Sequence, residues 1–379
     1  MKVLVASVPA LGHLLPLLPL TEALVRQGDA VTVASHSGVA SHVEPTGATF
    51  CAVGHDEAAW FERLRSRTRG APGDGLAPSR INQYFVPRVF AEIGADDMVD
   101  DLLDVARRLE PDVVLFEPYA FAAPLVARLV EARSVQHLVG PMLGHEVMAL
   151  ADDAVSPLWR SMGLDSPGFA GAYADTTIEI CPAGFEVLAV PSGESLSIRP
   201  SPLPASRPVR TERPLVYVTL GSFFADVEPI RVVLASLADE PVDVVVTLGA
   251  HGDPAVLGEV PANATIEGFV AQAELLPRCS AVVHHCGGGT TFGALAHGLA
   301  QVALPQGADN FINAALLERA GAAVSLFGES FSAAAVRASV RRVLDDASFT
   351  AAAATIAREI ASMPAPEAVA ATLRQRFGT

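Results

Sequence analysis

The segment Ala281-Val282-Val283-His284-His285-Cys286-Gly287-Gly288-Gly289-Thr290-Thr291 decides how the second half of this chain folds. Its apolar start predicts a short buried strand, and the residues from Thr290 to Gly298 have the spacing of a helix. The glycines between them let the backbone approach a ligand closely. The first N–H groups of such a helix lack internal partners, and the helix dipole adds positive potential there. The segment therefore predicts an anion site suited to a diphosphate, to which His285 could add a hydrogen bond or a positive charge.

Two common phosphate-binding patterns do not fit this glycine turn. A Walker loop would continue with Lys-Ser/Thr, but Thr290-Thr291 follows the glycines without a lysine. The dinucleotide fingerprint would need glycine at position 292, which is Phe292. The turn is therefore either a phosphate loop of another kind or only a tight turn, and the segment alone leaves both interpretations open.

Length and composition predict two globular domains, each with its own core. The chain has 379 residues, of which 50% are hydrophobic and 18% are charged, so it is not a disordered protein. Its net charge of −16 argues against nucleic acid and anionic membranes as main partners. A small phosphate-bearing ligand is not excluded, because a local site can differ from the average surface.

The cysteine and histidine pattern predicts neither disulfides nor a metal centre. The four cysteines lie far apart and form no C-x-x-C pair, which favours a reducing cytoplasm. Adjacent residues rarely ligate one tetrahedral ion, so the run His284-His285-Cys286 is not expected to bind zinc. We expect His284 to be a packed structural histidine.

The apolar N-terminus from Met1 to Leu20 could be taken for a signal peptide. Prolines and Gly12 interrupt it, and it continues directly into a helical pattern, so we expect a strand and a helix instead. No run of 18 apolar residues occurs elsewhere, and no transmembrane helix is predicted.

The first half of the chain alternates strands with helices, which predicts a doubly wound parallel sheet. In open α/β sheets, ligands bind beyond the carboxyl ends of the strands. His13, Glu117 and the segment from Met142 to His145 each follow a predicted strand, so we expect them to converge on one crevice. The predicted strands are Lys2–Val8, Val31–Ser35, Ala48–Val53, Asp112–Phe116 and Val135–Val139, and the predicted helices are Leu14–Gln27, Asp97–Leu109 and Ala120–Arg133.

An irregular segment is expected from Gly54 to about Arg88, with a mobile glycine-rich loop at residues 69–75. Its aromatic side chains could close a small core or form a wall for an apolar ligand, and the sequence does not decide between these roles. They are Trp60, Phe61, Tyr84 and Phe85.

Closely spaced prolines from Cys181 to Pro214 are expected to interrupt any regular element and to form an extended linker. The strand pattern then restarts, which predicts two copies of one architecture facing each other across a cleft. We expect an N-terminal domain at 1–200, a proline-rich linker at 201–214 and a C-terminal domain at 215–365. Residues 366–379 should form a helix that returns to the first domain.

Four motifs spread over nearly the whole chain occur together. They are Gly12-His13-x-x-Pro16, Thr219-Leu220-Gly221-Ser222, the segment from Gly268 to Pro277, and His285-Cys286-Gly287-Gly288-Gly289-Thr290 followed by Pro305 to Asn310. With these motifs the chain resembles the inverting nucleotide-sugar glycosyltransferases of family 1. That family has the GT-B fold of two facing Rossmann-like domains, and this chain is most similar to the bacterial branch that modifies natural products such as polyketides, macrolides and enediynes.

The resemblance implies that the second domain binds a dTDP- or UDP-sugar. Val270 and Gln272 would border the nucleobase, and Asp309 and Asn310 would bind sugar hydroxyls, since a carboxylate can accept from two hydroxyls at once. The diphosphate would be held by His285, Gly287, Gly288, Gly289, Thr290 and Ser222.

The resemblance also implies that His13, in the first domain, removes the proton of the acceptor hydroxyl and that Glu117 orients its ring. A histidine with a pKa of about 6.5 suits this task near neutral pH, and a carboxylate behind it fixes the tautomer. An acceptor site would be lined by Trp60, Phe61, Tyr84, Phe85, Met142 and His145.

No D-x-D motif occurs in the chain, so the resemblance implies a reaction without a metal or another cofactor. Helix N–H groups and His285 would stabilise the departing diphosphate instead.

Three positions depart from the usual family pattern. Asn310 replaces glutamine and is one methylene shorter, so a sugar contact could be lost or bridged by water. Glu117 replaces aspartate and is one methylene longer, which changes its reach toward His13. Ala271 stands where the family often has proline.

The predicted function is therefore inverting, hexosyltransferase-type transfer of a sugar, expected to be a deoxy sugar, to a hydroxyl of an apolar natural product, as in antibiotic biosynthesis. An α/β-hydrolase is disfavoured because no G-x-S-x-G elbow occurs. A nucleotide-sugar epimerase and a non-catalytic helper of a partner glycosyltransferase remain alternatives, although some such helpers lose the histidines that this chain keeps. The sequence does not identify the sugar, the acceptor or the nucleobase, and it leaves both a monomer and a homodimer open.

Overall fold

The computed structural model describes residues 1–68, 72–73, 75–77, 80–173, 175–185, 193–200, 212–221, 227–249, 253–268 and 270–378. The chain divides into two compact units. The first comprises Met1–Cys181, Val187–Arg199 and Pro364–Thr379, and the second comprises Pro182–Glu186 and Pro200–Met363. Of the helices in the described ranges, none is both long enough and apolar enough to cross a membrane.

The first unit is built on a seven-stranded parallel sheet with the order β3-β2-β1-β4-β5-β6-β7. Its central strands are continuous apolar runs because helices cover both faces of a parallel sheet. The strands are β1 Lys2–Ala6, β2 Ala30–Ser35, β3 Thr49–Ala52, β4 Val113–Phe116, β5 Arg133–His137, β6 Thr176–Glu179 and β7 Glu194–Ser197.

The helices of the first unit mostly follow the strands they connect. They are α1 Leu11–Leu14, α2 Leu18–Arg26, α3 Ala40–Val43, α4 Glu57–Arg67, α5 Ile81–Phe85, a π-helix at Val86–Gly94, α6 Ala95–Leu109, α7 Ala122–Leu129 and α8 His145–Ser161. The last helix of the chain, α15 at Pro366–Phe377, also belongs to this unit and packs on α2. The Arg374 guanidinium fixes it there by donating to Asp29 at 2.6 Å and to the Gln27 carbonyl at 2.6 Å.

The prediction of an irregular segment from Gly54 to Arg88 was wrong. The Asp56 side chain caps α4 by accepting from the Ala59 N–H group at 2.9 Å. Only Trp60 and Leu64 of α4 are buried, so the apolar face of this helix consists of two side chains. Such a short apolar face is not recognised easily in a segment rich in charged residues. Much of the predicted mobile loop lies outside the described residues.

The prediction that proline interrupts every element between Cys181 and Pro214 was wrong at β7. Glu194 to Ser197 contains no proline, and these residues pair with β6 in parallel. Four residues suffice because β7 is the edge of the sheet and pairs on one side only. Most of the predicted linker, residues 201–211, lies outside the described residues.

The second unit repeats the strand order of the first. Its six parallel strands have the order β10-β9-β8-β11-β12-β13, which corresponds to 3-2-1-4-5-6 counted within the unit. The predicted fold class of two doubly wound parallel-sheet domains is therefore confirmed. The strands are β8 Leu215–Thr219, β9 Asp243–Thr247, β10 Ala264–Glu267, β11 Ala281–His284, β12 Ala300–Ala303 and β13 Ala323–Ser325, and the helices are α9 Glu228–Leu237, α10 Gln272–Leu275, α11 Gly288–Ala296, α12 Asn310–Arg319, α13 Ala333–Asp345 and α14 Ala347–Ser362.

Each sheet reverses its strand order at one place, between β1 and β4 in the first unit and between β8 and β11 in the second. Loops that leave the carboxyl ends of two such strands diverge to opposite sides, which opens a crevice where ligands of α/β proteins bind. The candidate residues His13 and Glu117 follow β1 and β4. The glycine turn follows β11, and Gly221 follows β8.

Candidate active site

At the crevice of the first unit, His13 and Glu117 form a close pair. The His13 Nδ1 and Glu117 Oε2 atoms lie 2.7 Å apart. The Val8 N–H group donates to Glu117 Oε1 at 3.1 Å, and the Tyr119 N–H group donates to Oε2 at 2.9 Å. Because Glu117 Oε2 already accepts the Tyr119 N–H group, it is an acceptor toward His13 as well. The proton of neutral His13 is therefore on Nδ1, and the basic lone pair is on Nε2.

Two aromatic rings hold the imidazole of this pair. The Tyr119 ring meets the His13 ring edge-on at a centroid distance of 4.5 Å, and the Phe90 ring is stacked at 6.3 Å. His13 keeps 20% of its side chain exposed, whereas Glu117 is fully buried. The histidine is thus fixed from behind and still accessible to a ligand.

A third ionisable group lies within electrostatic reach of the pair. The pKa of Glu57 is raised, mainly because the side chain is buried. The negative charge of Glu117 raises this pKa further, and the positive charge of His13 opposes the shift. Glu57 begins α4 and stands one turn before Trp60, whose ring contacts Phe90.

The predicted aromatic wall divides into two parts. Trp60 is fully buried, its Nε1–H group donates to Asp97 at 2.9 Å, and it belongs to the core rather than to an exposed wall. Phe61, Tyr84 and Phe85 are only partly buried and contact each other, with ring centroids 5.8 Å apart for Phe61 and Phe85 and 5.1 Å for Tyr84 and Phe85. These three rings stay candidates for the acceptor site.

Met142 and His145 follow β5 as expected but differ in exposure. Met142 is buried in the core of the first unit, and His145 is exposed at the start of α8 with its ring against Phe169. Their convergence with His13 on one crevice stays a prediction.

In the second unit, the glycines of the turn make room for the His285 ring. A Cβ atom on Gly287 would lie 2.4 Å from His285 Nε2, and one on Gly221 would lie 2.7 Å from Cε1. Gly221 also has a φ of +75°, which glycine adopts easily. The imidazole is therefore held between two positions where a side chain would displace it.

The first turn of α11 opens away from this packed ring. Gly288, Gly289 and Thr290 form that turn, so their N–H groups have no partner within the helix. Apart from its chain neighbours and the backbone of its own helix, no atom of the described residues lies within 4 Å of the place where a Cβ atom of Gly289 would stand. The turn is therefore open on the Gly289 side, and N–H groups at a helix N-terminus such as this one can bind an anion.

The two adjacent histidines of the turn have different environments. His284 is fully buried, and burial lowers its pKa to about 3. The Cys286 N–H group donates to His284 Nδ1, so the ring proton is on Nε2 and is donated to Gln301 Oε1 at 2.6 Å. Burial also lowers the pKa of His285 to about 4. A hydrogen bond with the Thr219 backbone acts in the opposite direction but is the smaller effect. In the protein without ligand, His285 is therefore a neutral hydrogen-bonding group and not a standing positive charge.

The remaining donor-site candidates lie around the same turn. Gln272 Nε2 donates to Thr290 Oγ1 at 2.9 Å, which leaves the hydroxyl hydrogen of Thr290 to donate to a ligand. Val270 is partly buried against the core, and Ser222 lies outside the described residues. Asp309 immediately precedes α12 and is partly exposed.

The Asn310 amide is bonded within its own turn, and its predicted contact with sugar hydroxyls stays a prediction. Asn310 is 2% exposed, and its Oδ1 atom accepts the N–H groups of Gln306 and Gly307 at 3.3 Å each. Its Nδ2 atom donates to Asp309 at 3.3 Å. The short side chain thus caps the turn before α12, where a longer glutamine would reach farther.

The described residues contain no group of three or more His, Cys, Asp or Glu side chains that could hold a metal ion. All four cysteines are free.

Comparison with known proteins identifies the family. The model of the erythromycin biosynthesis protein CIII-like N-terminal domain matches residues 80–193, and that of the C-terminal domain matches residues 231–375. The chain is 31% identical to the elloramycin glycosyltransferase ElmGT of Streptomyces olivaceus, over 100% of this chain and 98% of the relative. The chain belongs to the EryCIII-like glycosyltransferases.

Another relative agrees with this family in the reaction for which it is named, and a solved structure agrees with it in fold. The chain is 29% identical to the TDP-daunosamine transferase DnrS of Streptomyces peucetius, over 99% of this chain and 96% of the relative. The glycosyltransferase SsfS6 of Streptomyces sp. SF2575, solved with thymidine diphosphate, superposes with a TM-score of 0.81 at 25% identity and 99% coverage of both chains. The resemblance to natural-product glycosyltransferases and the GT-B fold are confirmed.

The sequence of this EryCIII-like protein did not reveal several residues that shape the site. Glu57 lies in the segment predicted to be irregular, Phe90 lies just after that segment, and Tyr119 is two residues past Glu117. Gln301 lies on β12 and Asn313 on α12, far from the glycine turn in the sequence. The spacing of Glu57 and Trp60, three residues apart, is a signal that could have placed Glu57 on the inner face of a helix.

Proposed function

We propose that this EryCIII-like protein transfers a sugar from a dTDP-sugar to a hydroxyl of an apolar natural product, with inversion and without a metal. The observation that carries the proposal is the His13–Glu117 pair, which leaves the basic Nε2 atom on a partly exposed ring. The relatives named for thymidine diphosphate chemistry favour dTDP over UDP as the donor nucleotide.

On the acceptor side, His13 Nε2 would accept the proton of the attacking hydroxyl. The ring would become positively charged, and the buried Glu117 carboxylate, 2.7 Å from Nδ1, would stabilise that charge. A single displacement with one base inverts the configuration of the sugar carbon. The partly buried rings Phe61, Tyr84 and Phe85 suit an apolar acceptor.

On the donor side, the first turn of α11 and His285 would bind the diphosphate. Backbone N–H groups, the Thr290 hydroxyl and the imidazole are fixed donors that need little reorganisation when the diphosphate leaves with its extra charge. Asp309 would accept hydrogen bonds from sugar hydroxyls. The four free cysteines fit a reducing cytoplasm.

Calorimetric titration with dTDP, UDP and ADP in the presence of EDTA tests the donor site. We expect dTDP to bind most tightly, because relatives of this protein are named for or solved with thymidine diphosphate. We expect ADP to bind weakly. Failure of all three nucleotides to bind would contradict the proposal and leave the glycine turn as a structural feature. Dependence of dTDP binding on a divalent metal would contradict the metal-free mechanism.

The acceptor half is tested by incubating the protein with a dTDP-deoxysugar and a panel of polyketide aglycones. A product whose glycosidic carbon is inverted relative to the donor supports the transferase. Release of a sugar nucleotide with altered stereochemistry and no glycoside would indicate an epimerase.

Replacing Glu117 by glutamine is expected to lower kcat by about 100-fold. Glu117 accepts three hydrogen bonds, from Val8, Tyr119 and His13, and the amide must turn its NH₂ group toward one of these donors. If the NH₂ group faces His13, it forces the proton onto Nε2, which removes the base. If it faces Val8, a buried N–H group loses its acceptor, at a cost of about 2 kcal/mol of folding free energy.

The matched control is Asp152→Asn in the same unit. The Asp152 carboxylate accepts the Ala170 N–H group at a distance of 2.8 Å and is not part of the His13–Glu117 pair. This variant should lower the unfolding midpoint but not kcat. If kcat and the unfolding midpoint of Glu117→Gln both equal those of the wild-type protein, the proposed role of the pair in orienting the base is contradicted.

A further inference from the structure

One buried side chain joins the glycine turn to the carboxylate that follows it. Asn313 lies on α12 and is 0% exposed. Its Nδ2 atom donates to the carbonyl oxygen of Cys286 at 2.8 Å and to Asp309 Oδ2 at 2.9 Å. A primary amide nitrogen carries two hydrogens, so both bonds can form at the same time.

The first of these bonds holds a backbone conformation that needs support. Cys286 has a φ of +67°, in the left-handed region that residues with a side chain seldom adopt. Its N–H group is bound by His284 Nδ1 at 3.1 Å, and its carbonyl group is bound by Asn313. Two buried side chains thus fix the peptide that leads into Gly287 and the first turn of α11.

The second bond fixes a side chain. Asp309 precedes Asn313 by four residues, which places both on one face of the start of α12. The bond from Asn313 occupies Oδ2 of Asp309, and Asn310 donates to Oδ1 at 3.3 Å. The carboxylate is therefore oriented by amides from its own helix.

We propose that Asn313 is a positioning residue that couples the diphosphate turn to Asp309, so that binding of the sugar depends on the geometry of the turn. This inference rests on the proposed function, in which the turn binds the diphosphate and Asp309 binds the sugar. Asn313 itself touches neither group. It acts by sharing one amide between a backbone carbonyl and a carboxylate.

The test compares the affinities of dTDP and dTDP-glucose for the full-length protein and its variants. The ratio of the two dissociation constants isolates the contribution of the sugar. Asn313→Ala removes both bonds, and Asn313→Ser supplies a single hydrogen that cannot serve both acceptors. Having both variants keeps the test valid if one of them folds poorly.

The matched control is Asn263→Ala in the same unit. Asn263 Nδ2 also donates to two acceptors, the carbonyl groups of Leu237 at 2.9 Å and Val242 at 3.0 Å, but it lies away from the turn. It should cost stability without changing the ratio of the two affinities.

We expect Asn313→Ala to weaken dTDP binding and, beyond that, to reduce the sugar contribution about tenfold, the scale of a lost hydrogen bond to a charged group. Asp309→Ala should reduce the sugar contribution by a similar factor. In the ratio of the two dissociation constants, the double variant should resemble Asp309→Ala alone, because Asn313 affects the sugar only through Asp309.

Three results would overturn the inference. Asn313 variants could bind with an unchanged ratio, their effects could add to that of Asp309→Ala, or Asp309→Ala could leave the ratio unchanged. Absence of any dTDP binding by the wild-type protein is a different result, because it contradicts the proposed function itself.

Discussion

Replacing His13 by alanine is expected to lower kcat by about 10³-fold while the affinity for dTDP stays within about twofold of the wild-type value. The substitution removes the partly exposed imidazole whose Nε2 atom is the proposed base. The diphosphate-binding groups proposed here all lie in the second unit, so the donor nucleotide loses none of its contacts. The measurement is glycoside formation together with calorimetric titration of dTDP.

A second variant separates the base from the shape of the ring. His13→Gln keeps a hydrogen-bond donor that can reach Glu117 but provides no basic nitrogen, so it should be as inactive as His13→Ala. His42→Ala changes an exposed histidine of the same unit and should leave kcat unchanged. Near-normal turnover of His13→Gln would remove His13 from the proton-transfer step.

The sheet architecture could be predicted because it depends on signals that act locally. Parallel strands such as β4 and β11 are buried on both faces and therefore read as uninterrupted apolar runs. The candidate residues His13, Glu117 and His285 follow such strands directly, so their placement at the carboxyl edge follows from the strand assignments. Gly287 can be recognised in the sequence as a position where a side chain is not tolerated, but the sequence does not show that the His285 ring is the group that a side chain would meet.

The sequence was misleading where a contact forms only in the folded chain, whether its partners are distant or close in sequence. The helix α4 has only Trp60 and Leu64 on its buried face, and its packing partner Phe90 comes about 30 residues later, so periodicity alone could not identify it. The orientation of Asn310 depends on the N–H groups of Gln306 and Gly307, which turn toward it only after the segment folds. The chemical type of a side chain therefore does not determine which way the side chain points in the folded protein.

The roles of His284 and His285 could be separated only with the structure. The two residues are adjacent, and side chains of successive residues leave a strand end on opposite sides. His284 is enclosed beside Gln301, whereas His285 lies between Gly221 and Gly287. His284 therefore stabilises the turn from the buried side, and His285 is the histidine that lies next to the N-terminus of α11.

Replacing Gly287 by alanine is expected to weaken dTDP binding by about 10- to 100-fold, the range for losing a hydrogen bond to a charged group. The backbone at Gly287, with φ −62° and ψ 142°, accepts any residue, so the main-chain conformation is not the obstacle. The obstacle is the His285 ring, whose Nε2 atom lies 2.4 Å from the position of the new Cβ atom. The ring must move, and overpacking of this kind costs about 1–3 kcal/mol of folding free energy.

Gly289→Ala is the matched control for the movement of the ring. It lies in the same turn, but the described residues leave open space around its Cβ position. The NMR resonances of the His285 ring should shift in Gly287→Ala and stay in place in Gly289→Ala, both measured without nucleotide.

A double substitution tests whether the clash with His285 is the cause. In His285→Ala the ring is absent, so adding Gly287→Ala should cost little further stability and little further dTDP affinity. The two effects should therefore be strongly non-additive. Additive losses would mean that Gly287 is required for another reason, such as direct contact of its backbone with the diphosphate. In that case the glycine would serve the ligand itself, independently of the position of the His285 ring.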